Sequence, residues 1–302
     1  MNRSVPVFVL LGSSILWGVT WLPLKHFGTY GIQGPLVTLC AHGSLGLIAL
    51  PLLWRRRGSL RAHRWPMLWL AFVAGLANVA FASAMLVGDV TRVMALFYML
   101  PAWGVLGGRF LLGERIDGSR WLSLVGALLG AFLILGGPDV LASPPGWVDF
   151  VAVLSGMAYA MNNVLFRKAH QVPVSTKVAV TFVGCLAWAA GLTALGPGSI
   201  PGAVPSGVWL MIVGFGWVWI LLATLGTLWA VNQMEAGRSS VLIIMELVAA
   251  VVSAALLLGD VPLPIEWAGG ALILFAAVLE ARRVAAPGVA EPSEPRVCEG
   301  AG

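Results

Sequence analysis

Charge is scarce in this chain: 10% of its 302 residues are Asp, Glu, Lys or Arg, against about 25% in an average soluble domain. With 59% hydrophobic residues, it has too few polar groups to cover a water-soluble globule, and most of its surface must face lipid. A sizeable soluble domain is excluded. Cysteine is scarce too. Cys40, Cys185 and Cys298 are odd in number, widely separated and without CxxC spacing, which argues against a disulfide framework or a thiolate zinc site. Only four histidines are present, and no HExxH, Asp-rich metal motif, Gly-x-Ser-x-Gly elbow or P-loop occurs. An ATP-driven pump and a membrane-embedded transferase or hydrolase therefore lack their usual motifs, and no metal or organic cofactor is expected. The net charge of +5 arises from basic residues scattered between apolar runs. That pattern is unlike the basic, aromatic-interleaved patch of a nucleic-acid binder, so no nucleic-acid partner is expected.

What is abundant is apolar sequence in helix-length runs, near 5–27, 33–54, 66–88, 92–112, 120–137, 147–166, 174–195, 207–231, 238–258 and 264–281. At roughly 20 residues per crossing these make ten membrane spans. The breaks carry Gly34-Pro35, Gly137-Pro138, Pro144-Pro145-Gly146, the 196–202 stretch, and Pro262 with Pro264, all turn-forming combinations. The first run has no small-residue cleavage site behind it and reads as a retained helix. Basic residues near span ends stay on the cytoplasmic side. Arg55, Arg56, Arg57, Arg61, Arg64, Arg115, Arg120, Arg167, Lys168 and Lys177 fall on one side with Arg3, Arg109, Arg238, Arg282, Arg283 and Arg296, leaving Lys25 and Arg92 opposite, a split of 16 to 2. Both termini are thus expected in the cytoplasm, with the protein multi-pass in the cytoplasmic membrane. The tail 284–302, rich in Pro, Glu, Gly and Ala, is too polar to pack and is expected to be disordered.

The chain also repeats itself. Placing Asp89-Val90-Thr91-Arg92 over Glu235-Ala236-Gly237-Arg238 needs an offset of 146 (238 − 92), and the same offset superposes Leu112-Gly113-Glu114 on Leu258-Gly259-Asp260 and Trp121 on Trp267. Earlier, Leu16-Trp17-Gly18 matches Leu154-Ser155-Gly156 at an offset of 138. Five spans per copy turn the second copy upside down, the inverted-repeat plan of many secondary transporters. The expected fold is all-α and integral to the membrane: ten helices as two inverted five-helix repeats, residues 1–137 and 138–283.

On these residues the sequence resembles the drug/metabolite transporter superfamily, and within it the EamA-type family. The likeness is carried by Leu16-Trp17-Gly18 followed by Lys25, Met99-Leu100-Pro101 before Leu112-Gly113-Glu114-Arg115, and Met245-Glu246-Leu247 before Leu258-Gly259-Asp260. Trp267 and the Gly269–Leu274 run complete the set. The family commonly has an Arg seven residues after the second-span proline, where this chain has His42; it often reads Glu-Pro where Glu246-Leu247 stands, and Glu where Asp260 stands. The resemblance implies transport of small organic metabolites, amino-acid-like or drug-like, by alternating access driven by an ion gradient, usually protons. Export against protons is the expected function. A gradient-independent facilitator, exchanger or channel is the alternative, and an integral-membrane enzyme a more distant one. The partners are a small-molecule substrate and the lipid bilayer, with the chain a monomer or weak homodimer.

Candidate residues follow from the cost of polarity in lipid. Glu246 lies about eight residues, or roughly 12 Å, into the ninth run. A carboxylate there costs on the order of 2.5–3.5 kcal/mol and should face the bundle interior with a partner. It could bind a substrate amine or hydroxyl, load and unload a proton, or bridge two helices. Lys25 follows Pro23, which interrupts the helix; it either snorkels to the interface or serves a pathway. His42 is a lone histidine on a small apolar face, a packing group or a proton relay. Asn162 and Asn163 either reach a cavity or hydrogen-bond between helices. Trp17, Trp21 and Trp103, deeper than the interfacial tryptophans, either wall a pocket for an apolar or aromatic solute or pack helices. Asp89 with Arg92, and Glu235 with Arg238, are the candidate gate residues, one pair for each side of the membrane; solvated turns are the alternative.

Overall fold

The computed structural model describes residues 4–88, 90–138, 144–195, 204–258 and 263–282. Asp89, Gly259, Asp260, Cys298 and the 284–302 tail lie outside the described residues. Among those described there are only helices and connecting turns, without a strand. The helices run α1 (Val5–Gly18), α2 (Trp21–Gly28), α3 (Gly34–Thr38), α4 (Ser44–Arg55), α5 (Arg57–Ala62), α6 (Arg64–Val87), α7 (Val90–Phe97) and α8 (Leu100–Leu112). They continue as α9 (Gly118–Ile134), α10 (Trp147–Lys168), α11 (Val174–Leu195), α12 (Ser206–Phe215), α13 (Leu221–Asn232), α14 (Ala236–Ile243), α15 (Met245–Leu258) and α16 (Pro264–Arg282). Eight stretches are long and apolar enough to cross a membrane, several of them made of two broken helices end to end. The other two long helices are α9, 17 residues and apolar, and α16, 19 residues.

The breaks follow from backbone chemistry. Pro23 cannot donate to the carbonyl four residues back, and α1 gives way to α2 at Val19-Thr20. Pro101 does the same between α7 and α8. The matching break between α14 and α15 falls at Ile244 without a proline, closed by Leu247 N–H to Ile244 O at 3.0 Å. The repeat offset reappears in the helix starts: Val90 and Ala236 differ by 146, Leu100 and Met245 by 145, Gly118 and Pro264 by 146. Two single π-helical turns, Leu39–Gly43 and Gly216–Ile220, join α3 to α4 and α12 to α13. They pack on one another, with Gly216 so close to the Ala41 backbone that no side chain fits.

Packing runs mainly between the two sequence halves. Helices α6 and α8 lie against α10, α4 and α6 against α11, α1 against α13 and α15, α8 against α14, and α9 against α16. The glycine pairs serve these contacts: Gly130 meets Gly269 backbone to backbone, and Gly104 faces Ser240. Leu, Ile, Phe and Trp side chains such as Phe8, Phe110, Leu210 and Leu256 remain exposed around the bundle, the reverse of a water-soluble surface.

Candidate functional site

Where helices of the two halves meet, a small, partly open cavity is lined by Trp17 of α1, His42 of the first π turn and Asn78 of α6. From the second half come Tyr159 and Asn162 of α10, Thr181 and Phe182 of α11, and Thr224, Thr227 and Leu228 of α13. The π turn is what aims His42, since one extra residue per turn rotates the side chain off the regular helical stripe. Several buried polar atoms among these residues have no hydrogen-bond partner in the protein: Trp17 Nε1, both ring nitrogens of His42, Asn162 Oδ1 and Thr227 Oγ. Buried polar groups are ordinarily paired, so such a cluster marks a place where something else supplies the bonds. Among the described residues, the lining contains no carboxylate, lysine or arginine.

Next to the lining, Asn162 donates to Asn163 Oδ1 at 3.2 Å, leaving Asn163 Nδ2 unpaired and buried. Glu246 stands in the first turn of α15, 6% exposed, with Oε1 unpaired. A carboxylate suits that position because the first turn of a helix offers unsatisfied N–H groups and the positive end of the helix dipole. Gly18, next to Trp17, lies against the backbone of Glu246 and Ala250, with no room for a side chain. That contact holds α15 beside the cavity wall.

One end of the bundle holds a cluster of buried charge. Arg120, fully buried, pairs with Glu114 (3.3 Å), with Glu280 (3.5 Å) and with Glu235. Glu114 in turn accepts from the backbone N–H groups of Ala236 (2.6 Å) and Gly237 (3.1 Å), capping α14, and lies 3.5 Å from Arg167. Gly113 makes this possible: its φ of 70° ends α8 and turns the chain so that Glu114 N–H bonds Gly108 O. Arg167 also donates to the Met234 carbonyl. At the opposite end Arg92 holds Asp149 with two bonds, 2.7 and 2.9 Å, both side chains 16% exposed.

The EamA-like transporter family matches residues 4–136 and again 146–281. The chain belongs to this family. A curated relative, the riboflavin transporter of Rhizobium johnstonii, is 26% identical over 240 residues, covering 78% of this chain and 77% of its own. A solved crystal structure covers 92% of this chain and 96% of its own at 20% identity and a TM-score of 0.73, which shows a common fold. The protein is therefore a multi-pass membrane transporter of small molecules. In this EamA-like chain the structure gathers Trp17, His42 and Asn162 at the cavity, sets Asn163 next to Asn162, and packs the Glu246 backbone on Gly18, the neighbour of Trp17.

The other sequence candidates lie elsewhere. Lys25 is exposed on α2. Trp21 donates to Ser253 of α15 at 3.0 Å. Trp103 packs against the apolar core of α1, α7, α14 and α15 with its Nε1 unpaired. Glu235 joins the Arg120 network and Arg92 the Asp149 pair, while Arg238 follows on α14. Sequence reading missed Thr181, Thr224 and Thr227, because threonine within an apolar run reads as packing, and it missed the burial of Arg120. The one sequence sign for Arg120 was Glu114-Arg115 followed by Asp117, acids out of place in a purely solvated basic loop.

Proposed function

We propose that the chain is a ten-span secondary carrier, built as two inverted five-helix repeats (1–137 and 138–283), with both termini on the cytoplasmic side of the cell membrane. It moves a small organic metabolite outward in exchange for protons. The observation that carries this reading is the cavity between the two halves, with its unpaired polar atoms and aromatic walls. Binding at such a repeat interface lets one site be offered to either side as the halves rock. Trp17, Phe182 and Tyr159 suit a planar ring, and Trp17 Nε1, His42, Asn162 and Thr227 suit the hydrogen-bonding edge of a heterocycle. An uncharged lining favours an uncharged heteroaromatic solute over a zwitterion. The riboflavin transported by the relative has that chemistry.

In this reading the Arg120 network is the cytoplasmic gate and Arg92 with Asp149 the outer latch. Glu246 takes up and releases the coupling proton beside the cavity. The test is exchange from proteoliposomes loaded with labelled riboflavin, nucleosides, amino acids or organic cations, with and without an imposed pH gradient. Saturable exchange that the gradient accelerates supports the carrier and names its substrate. Exchange indifferent to the gradient replaces the proton antiporter with a facilitator. No exchange of any of these solutes by folded protein removes the reading for all four classes. Glu246→Gln is expected to abolish gradient-driven transport while leaving the folded protein intact; undiminished driven transport would remove Glu246 from the mechanism.

A further inference from the structure

Lys177 is fully buried in the first turn of α11, and neither the cavity nor the charge network uses it. Its Nζ donates to the Phe166 carbonyl at 2.6 Å and to Asn232 Oδ1 at 2.5 Å, and lies 4.2 Å from the centre of the Phe166 ring. Its position relative to the cavity is set by helical repeat. Lys177 precedes the cavity residue Thr181 by four, Phe166 follows Asn162 by four, and Asn232 follows Leu228 by four. One turn along three helices from the lining, on the side of the Arg120 network, these residues lie beneath the cavity without lining it.

Among the described residues, Lys177 has no ion pair within 4.0 Å. The ionisable groups on the elements around it are engaged or distant. On α10, Tyr159 lines the cavity, Arg167 belongs to the Glu114 network, Lys168 is exposed, and Asp149 is at the far end with Arg92. Arg55 of α4 and Arg64 of α6 are exposed, the π turn offers Cys40 and the cavity residue His42, and α3 and α13 carry none. Two hydrogen-bond acceptors meet the two N–H bonds that a neutral amine retains, and the ring face meets the additional charge of an ammonium. Both protonation states are therefore accommodated without moving a neighbour, as they would not be beside a carboxylate.

We propose that Lys177 is a second proton-carrying site of the transport cycle, working beneath the cavity in addition to Glu246. The inference rests on the proton-coupled carrier reading above. When the network end opens, an Nζ–H bond breaks, its proton passes to entering water and the electron pair stays on Nζ. The amine keeps its bonds to Phe166 and Asn232 and regains a proton from the cavity side when that side is open.

The chain has three lysines, Lys25, Lys168 and Lys177, so lysine-selective ¹³Cε/¹⁵Nζ NMR of the full chain in lipid nanodiscs reads this site without a substrate, with Lys177→Arg giving the assignment. The Lys177 signal is expected to pass between ammonium and amine over the pH range in which the gradient drives transport. A signal fixed as either form throughout overturns the proposal. In proteoliposomes, Lys177→Arg stays charged and is expected to lose gradient-driven flux by about tenfold or more while counterflow stays within about threefold of the unchanged chain. Lys177→Met, permanently neutral, is expected to behave alike. Full driven flux in either variant assigns Lys177 to bracing alone. If a variant fails to fold, the NMR titration decides. A Lys177 that titrates in a chain exchanging no solute overturns its place in transport and the carrier reading together, whereas exchange with an invariant Lys177 overturns this inference only.

Discussion

The two ends of the bundle are held by unlike devices. At one end Arg120 is sunk among Glu114, Glu235 and Glu280, with Arg167 and two backbone N–H groups of α14 completing the network. At the other, Arg92 makes two bonds to Asp149, and both side chains keep some exposure. The difference is one of reversibility. Buried charges bind strongly only while all partners are present, and removal of one leaves the rest uncompensated. A partly exposed pair can be replaced by water at small cost. The network joins helices of both sequence halves, since Glu114 and Arg120 come from one and Glu235, Glu280 and Arg167 from the other. In the proposed carrier cycle, a movement that opened this end would have to separate them together, as in an all-or-none gate.

This contrast can be broken at either end. The largest effect is expected from Arg120→Gln, which removes the buried positive charge that three carboxylates share; a loss of about 3–5 kcal/mol should appear as a lowered midpoint of thermal unfolding in lipid. Unchanged stability would show that the network closes nothing. Next, Gly18→Leu should force α1 away from the Glu246–Ala250 backbone and cost about 1–3 kcal/mol by overpacking, a figure readable from the same melts. At the exposed end, Arg92→Gln should shift stability by about 1 kcal/mol or less. A drop as large as that of Arg120→Gln would erase the distinction between the two ends. The smallest effect belongs to the cavity: Thr227→Val removes one unpaired hydroxyl and should weaken substrate binding by about threefold to tenfold. Melting should be unaffected, and equal affinity would place the substrate elsewhere.

The sequence disclosed the membrane class and the repeat offset, and it singled out some of the residues that the structure brings together at or near the cavity. Glu246 stood out because a carboxylate in an apolar run is costly, and the structure buries it with its backbone against Gly18, next to the cavity residue Trp17. His42, Trp17 and Asn162 stood out as polar or bulky groups among small apolar ones. Arg120 and Lys177 were counted as loop charges because both sit beside turn sequence. A tally of basic residues by loop reads distance along the chain, whereas burial depends on which helices converge there. Leu247 offers the converse case. Where the first repeat uses Pro101 to break its helix, the second breaks at Ile244 with leucine, so the break is kept by packing against α1 and α8 and not by local backbone chemistry.

Composition and periodicity determine the solvent of this protein, the helical secondary structure and the repetition of the chain, because each depends on residues within one helix length. The cavity, the gate-like network and the isolated Lys177 were decided only when α1, α10, α11, α13 and α14 were brought together. Hydrogen-bond partnership and burial belong to pairs of residues as far apart as Arg120 and Glu280, and no local pattern encodes which of them meet.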